Sequence, residues 1–133
     1  LERFNQIAWA RMILAIVSAA RRYGNAKVVV DATGVGDPIF EELRKQNLNV
    51  EGFHISSSSK EKLIDGAAVA IEHKQVYLMD VQIQTDELQA YQYELTVAGN
   101  VRMGAPPGMH DDTVIALALA IHGIGRTPTW DAA

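Results

Sequence analysis

No cysteine occurs among the 133 residues, which excludes a disulfide scaffold and a thiolate metal site alike. No apolar run is long enough to span a bilayer as a helix. The apolar opening, LERFNQIAWARMILAIV, is interrupted by Glu2 and Arg11 and carries no cleavage site, so it does not read as a signal peptide. A Walker-type phosphate loop is missing too, because no glycine-lysine pair followed by serine or threonine is present. Nor is there an excess of positive charge. The formal net charge is −4, so either the partner is not a nucleic acid or the grip on it is shared with other chains or domains.

What is present is the balance of a folded domain. The chain is 48% hydrophobic and 21% charged, and its length suits one ordinary core. Residues 7–23 predict a helix, with Ile7, Ala10, Leu14 and Val17 at helical spacing and Gly24 as its C-terminal cap. KVVVD, residues 27–31, is a continuous apolar run, the pattern of a strand buried on both faces. Asp37 and Pro38 open a second helix as cap and first residue. Residues 50–55 predict a second strand. Ser58 and Glu61 then fit a capping box for a helix to about His73, with a stripe of Leu63, Ala67, Ala70 and Ile71. Residues 75–79 predict a third strand, residues 85–95 a helix capped by Thr85, and residues 100–103 a strand after the Ala98-Gly99 turn. Pro106, Pro107 and Gly108 break the chain before a last helix over residues 110–124, and residues 126–133 read as a frayed tail. Strands alternating with helices give an α/β class with an at least partly parallel sheet.

Three carboxylates stand out. Asp31 closes the apolar strand, where α/β sheets gather ligands. A carboxylate there needs water, a partner or a metal; equally, it can cap the turn DATG. Asp111 and Asp112 open a helix, VIALALAI, with almost no polar face. Acidic residues at a helix N-terminus are explained by the helix dipole alone, but two in succession on a sunken helix exceed what that explanation needs. Together the three suggest an all-oxygen site for a hard cation, Mg²⁺ or Mn²⁺. A pair of such ions would activate water and stabilise the leaving oxygen of a phosphodiester.

The remaining candidates have ordinary readings. In DATGVGDP, Gly34 and Gly36 supply two glycines of a dinucleotide fingerprint, but Ile39 stands where the third belongs, so they read as turn residues. His110 adjoins the acidic pair as a ligand, a proton shuttle or a turn histidine. His54 ends a strand. Ser56 to Ser59 and Lys60 could meet a phosphate at a helix N-terminus, although capping explains the serines. Arg102 and Lys60 read as solvated surface.

The stretches VVVDATGVGDPIFEEL, SSSSKEKLIDG, QTDELQAYQYE and GMHDDTVIALALA resemble the large terminase subunit of tailed bacteriophages, in its C-terminal nuclease domain. The resemblance covers residues 1–125. It implies an RNase H-like mixed sheet flanked by helices, and a metal-dependent endonuclease that cuts concatemeric viral DNA during packaging in the bacterial host cytoplasm. It also implies double-stranded DNA, an ATPase domain, a small terminase subunit and a capsid portal as partners. Of three motif carboxylate positions, the second matches Asp31 and the third the Asp111–Asp112 pair. The first belongs on a strand preceding Leu1. The expectation is therefore a domain lacking its first strands, with a partial coordination sphere and weak or no cutting with Mg²⁺. A non-catalytic docking remnant and a nucleotide-binding module on DATGVG are the alternatives.

Overall fold

The computed structural model describes residues 1–4, 7–34 and 38–125. The expected cap Asp37, the turn residue Gly36 and the tail 126–133 lie outside the described residues. The chain divides into two compact units, the first spanning Leu1–Ile55 and the second beginning at Ser56.

In the first unit, helix α1 (Trp9–Arg22) is followed by strand β1 (Val28–Asp31), helix α2 (Pro38–Lys45) and strand β2 (Val50–Phe53). The two strands pair in parallel, Val28 opposite Val50 and Asp31 opposite Phe53, as a βαβ connection through α2 requires. The core is Ile13, Val17 and Leu43, with Val28, Val30 and Val50 packed on it from the strands. Helix α1 therefore buries Val17 of the expected stripe together with Ile13 and Ala20, while Ala10 is exposed and Leu14 is 67% exposed. Both stripes fit the helical period, and only the position of the sheet chooses between them. The strand residues Val28, Val29 and Val30 are half-buried rather than buried on both faces. Gly52 on β2 is tightly packed. A Cβ there would meet the Ala32 Cβ at 3.1 Å and the Phe40 ring at 3.2 Å, so any side chain would have to push these neighbours back by a few tenths of an ångström.

In the second unit, helix α3 (Ser57–Glu72) and helix α4 (Gln82–Ala90) precede an antiparallel hairpin and a last helix. The hairpin strands are β3 (Gln92–Leu95) and β4 (Val101–Gly104), and the last helix is α5 (Asp112–Gly123). Helix α3 packs on α5, burying Leu63, Ile64, Ala67 and Ala70 from one and Val114, Ala118, Leu119 and Ile121 from the other. Ile71, expected in the stripe, is at the surface, and Ile64 takes its place. Helix α5 is buried on most sides, with an exposed line at Asp112, Ala116 and Ala120.

Three expectations change here. The capping box of α3 is Ser56 with Ser59, not Ser58 with Glu61. In a run of four serines the box can close at more than one register, and it closes at the earliest, which starts the helix before Ser58. Residues 75–79 form no strand; Tyr77 is 93% exposed, and an isolated extended segment has no ladder to satisfy its backbone. The helix expected over residues 85–95 ends at Ala90, and Gln92 to Leu95 pair with Gly104 to Val101. Thr85 lies inside α4 with its hydroxyl donating to the Val81 carbonyl, and Val81 is the N-cap.

Candidate metal centre

Asp31 ends β1 and is exposed. Its Oδ1 accepts the Thr33 N–H at 2.9 Å and the Thr33 hydroxyl. The Thr33 Oγ1 in turn accepts the Ile55 N–H at 2.7 Å. One carboxylate oxygen is thus committed to an Asx-type turn, and that turn is tied to the segment after β2. The turn-capping reading of Asp31 is therefore realised, while ligation would fall to its other oxygen. Gly34 follows with φ +145°, a backbone conformation that L side chains rarely adopt, in open space. It serves the turn's geometry, as expected.

Asp111 and Asp112 stand at the start of α5. Asp111 is the N-cap residue, yet its side chain makes no capping hydrogen bond. Its Oδ2 receives the Lys60 ammonium at 3.2 Å instead. The two side chains are 24% and 28% exposed, so Lys60 is not the solvated surface residue the sequence suggested. The early start of α3 puts Lys60 in that helix's first turn, and its ammonium also lies 5.9 Å from the centre of the Tyr91 ring. Burial first, and then the Asp111 charge, push the Tyr91 phenol up to about 12. Its hydroxyl is buried without a hydrogen-bond partner among the described residues. A cavity of about 490 Å³ opens beside this group, lined among others by Lys60, Glu94, Arg102, Gly104 and Asp111. Asp112 and His110 are exposed.

Sequence reasoning missed Glu87. It comes from the otherwise polar helix α4 and is 4% exposed. Its Oε2 accepts both the Thr113 N–H at 2.8 Å and the Thr113 hydroxyl at 2.7 Å. A glutamate among QIQTDELQA carries no local mark of burial, so no signal in the sequence points to it. Among the described residues, no three His, Asp or Glu side chains converge in an arrangement that could hold a metal ion.

The large subunit of the terminase of Thermus phage G20c is 40% identical over 121 residues, which cover 90% of this chain and 25% of that protein. The chain is homologous to the phage large terminase in its nuclease domain. Crystal structures of the large terminase nuclease from thermophilic phage G20c, one with bound cobalt and one with bound magnesium, superpose with a TM-score of 0.84 at 39% identity. Each match covers 91% of this chain and 65% of the solved one. The chain therefore spans about a quarter of the length of its curated relative and about two thirds of the nuclease chains. The α/β architecture with small parallel and antiparallel sheets is that of the RNase H-like terminase nucleases. No family model matches the chain. Among the described residues no helix is long and apolar enough to cross a membrane.

Proposed function

We propose that this chain is a metal-dependent endonuclease domain that cuts double-stranded viral DNA during genome packaging, in the cytoplasm of a bacterial host. Asp31, Asp111 and Asp112 are its metal ligands in this reading, with Mg²⁺ or Mn²⁺ as the cation. The observation that carries it is the placement of Asp111 at a helix N-cap where it does not cap, in a chain homologous to a nuclease that binds magnesium.

The donor chemistry fits a hard cation, since all three groups are carboxylates. Among the described residues no group of three such ligands is assembled. A bound pair of divalent cations would supply an activated water and charge neutralisation at the leaving oxygen. The chain's own contribution is to hold the carboxylates. Thr33 fixes the Asp31 rotamer through two hydrogen bonds to one oxygen, while the Lys60 ammonium neutralises Asp111 in competition with a cation. Arg102 and Lys60 line the cavity next to Asp111 and provide positive charge for the phosphate backbone. The motor domain, the small terminase subunit and the portal would supply the rest of the grip on DNA, which accounts for a net charge of −4.

The test is calorimetric titration of the chain with Mn²⁺, beside conversion of supercoiled plasmid to relaxed and linear forms. The expected result is Mn²⁺ binding that disappears in the double variant Asp111→Asn, Asp112→Asn and weakens in Asp31→Asn, with any cutting following the same order. Unchanged Mn²⁺ affinity in the folded double variant would refute the assignment.

A further inference from the structure

A helix N-terminus exposes backbone donors that something must satisfy. The N-cap side chain ordinarily does so, accepting from the second or third N–H of the helix. Asp111 has the position and a suitable side chain for this, and makes no such bond. The donor it would serve, the Thr113 N–H, is held by Glu87 from α4, which takes the Thr113 hydroxyl on the same oxygen. Glu87 and Thr113 are 4% and 3% exposed. Burying a carboxylate is costly, and serine, threonine or the local aspartate could cap α5 without that cost. The expense is explained if the local aspartate is reserved for something else. The positive end of the helix dipole offsets part of it.

We propose that Glu87 is a positioning residue: by capping α5 in place of Asp111, it keeps the Asp111 carboxylate off the helix backbone and turned to a divalent cation. This rests on the metal reading above. Without Glu87 the buried Thr113 N–H would recruit the nearest oxygen acceptor, and the N-cap aspartate would supply it by moving from φ −126° and ψ 16° to the extended backbone of a capping residue. Asp111 would then rotate onto its own helix, and the metal would lose a ligand although no ligand had been mutated.

Two readouts on the parent chain, Glu87→Ala and Glu87→Gln separate this role from simple structural support. One is the chemical shift and hydrogen-exchange protection of the Thr113 amide. The other is Mn²⁺ affinity at a temperature where all variants are folded. Glutamine keeps an oxygen acceptor, so Glu87→Gln should retain the Thr113 amide shift and an affinity within about threefold of the parent, whereas Glu87→Ala should shift that amide and bind Mn²⁺ about 10-fold or more weakly, as loss of an orienting outer partner does. If the alanine variant does not fold, Glu87→Asp, one methylene shorter, takes its place with the same expectations at smaller size. A folded alanine or aspartate variant with parental Mn²⁺ affinity overturns the proposal. So does a glutamine variant that keeps the Thr113 amide but binds as poorly as alanine, because charge and not capping would then be at work. If the parent chain binds no Mn²⁺, the metal reading fails by itself. The Thr113 amide then still decides the cap, and its being unmoved in Glu87→Ala overturns it.

Discussion

Helices α3 and α5 pack against each other in the same unit, and their N-termini are satisfied by opposite means. Helix α3 is capped from within. The Ser56 hydroxyl accepts the Ser59 N–H at 3.2 Å, and the Ser59 hydroxyl accepts the Ser56 N–H at 2.7 Å. Helix α5 is capped from outside, by a glutamate 26 residues earlier in the chain. A local cap uses up the residues that sit at the helix start, here Ser56 and Ser59. A remote cap releases the residues at the helix start, and at α5 the residue released is Asp111. Asp31 is a third case, with one oxygen given to its own turn through Thr33.

The contrast between the two caps predicts unequal costs. Glu87→Ala should destabilise the fold by about 2–3 kcal/mol in urea unfolding, because it leaves buried donors without an acceptor. Ser56→Ala should cost about 1 kcal/mol, since the serine cap is exposed and water can replace it. Equal costs would break the comparison, and would mean that water or Asp111 replaces Glu87 without penalty.

Lys60→Met sharpens the comparison at a smaller scale. The Lys60–Asp111 pair is partly solvated, so its loss should cost under about 1 kcal/mol. On the proposed function the same substitution removes a cation that competes for Asp111, so Mn²⁺ affinity should rise. A fall in affinity would instead make Lys60 a support for the ligand.

The smallest effect belongs to Tyr91. Its phenol ionises at about 12 rather than 10.0, through burial and then the Asp111 charge. The folded state therefore favours the neutral phenol. The contribution is fully present below pH 10, where both states are protonated, and is lost between pH 10 and 12 as the unfolded chain ionises first. Tyr91→Phe should leave stability at neutral pH unchanged or slightly raised, because the hydroxyl it removes is buried without a partner among the described residues. It should also remove the latest-titrating step from the absorbance of the tyrosines near 295 nm. A variant titration identical to the parent's would show that Tyr91 is not the late group.

The legible parts of this protein are those whose bonds are local. Pro38 opening a helix, the apolar run ending in Asp31, a serine cap for α3 (at Ser56 with Ser59 rather than at the expected Ser58 with Glu61) and the pair Asp111–Asp112 before an apolar helix all depend on neighbours within a few residues. Where local signals allowed two answers, partners at a distance chose. Gln92 to Leu95 suits a helix or a strand at that length, and pairing with residues 101–104 made it a strand. Residues 75–79 have strand composition and form no ladder. On α1 the buried stripe keeps Val17 but takes Ile13 in place of Leu14, because the sheet lies on that side.

The sequence by itself determined the α/β class, the resemblance to the terminase nucleases, and which carboxylates are candidates, because periodicity, caps and motif spacing are written in consecutive residues. Only the tertiary structure decided how those carboxylates are used. Lys60 reaches Asp111 across 51 residues, and Glu87 reaches Thr113 across 26. Neither pairing leaves a trace in local sequence, because a hydrogen bond between remote residues is set by where helices pack and not by the residues beside it.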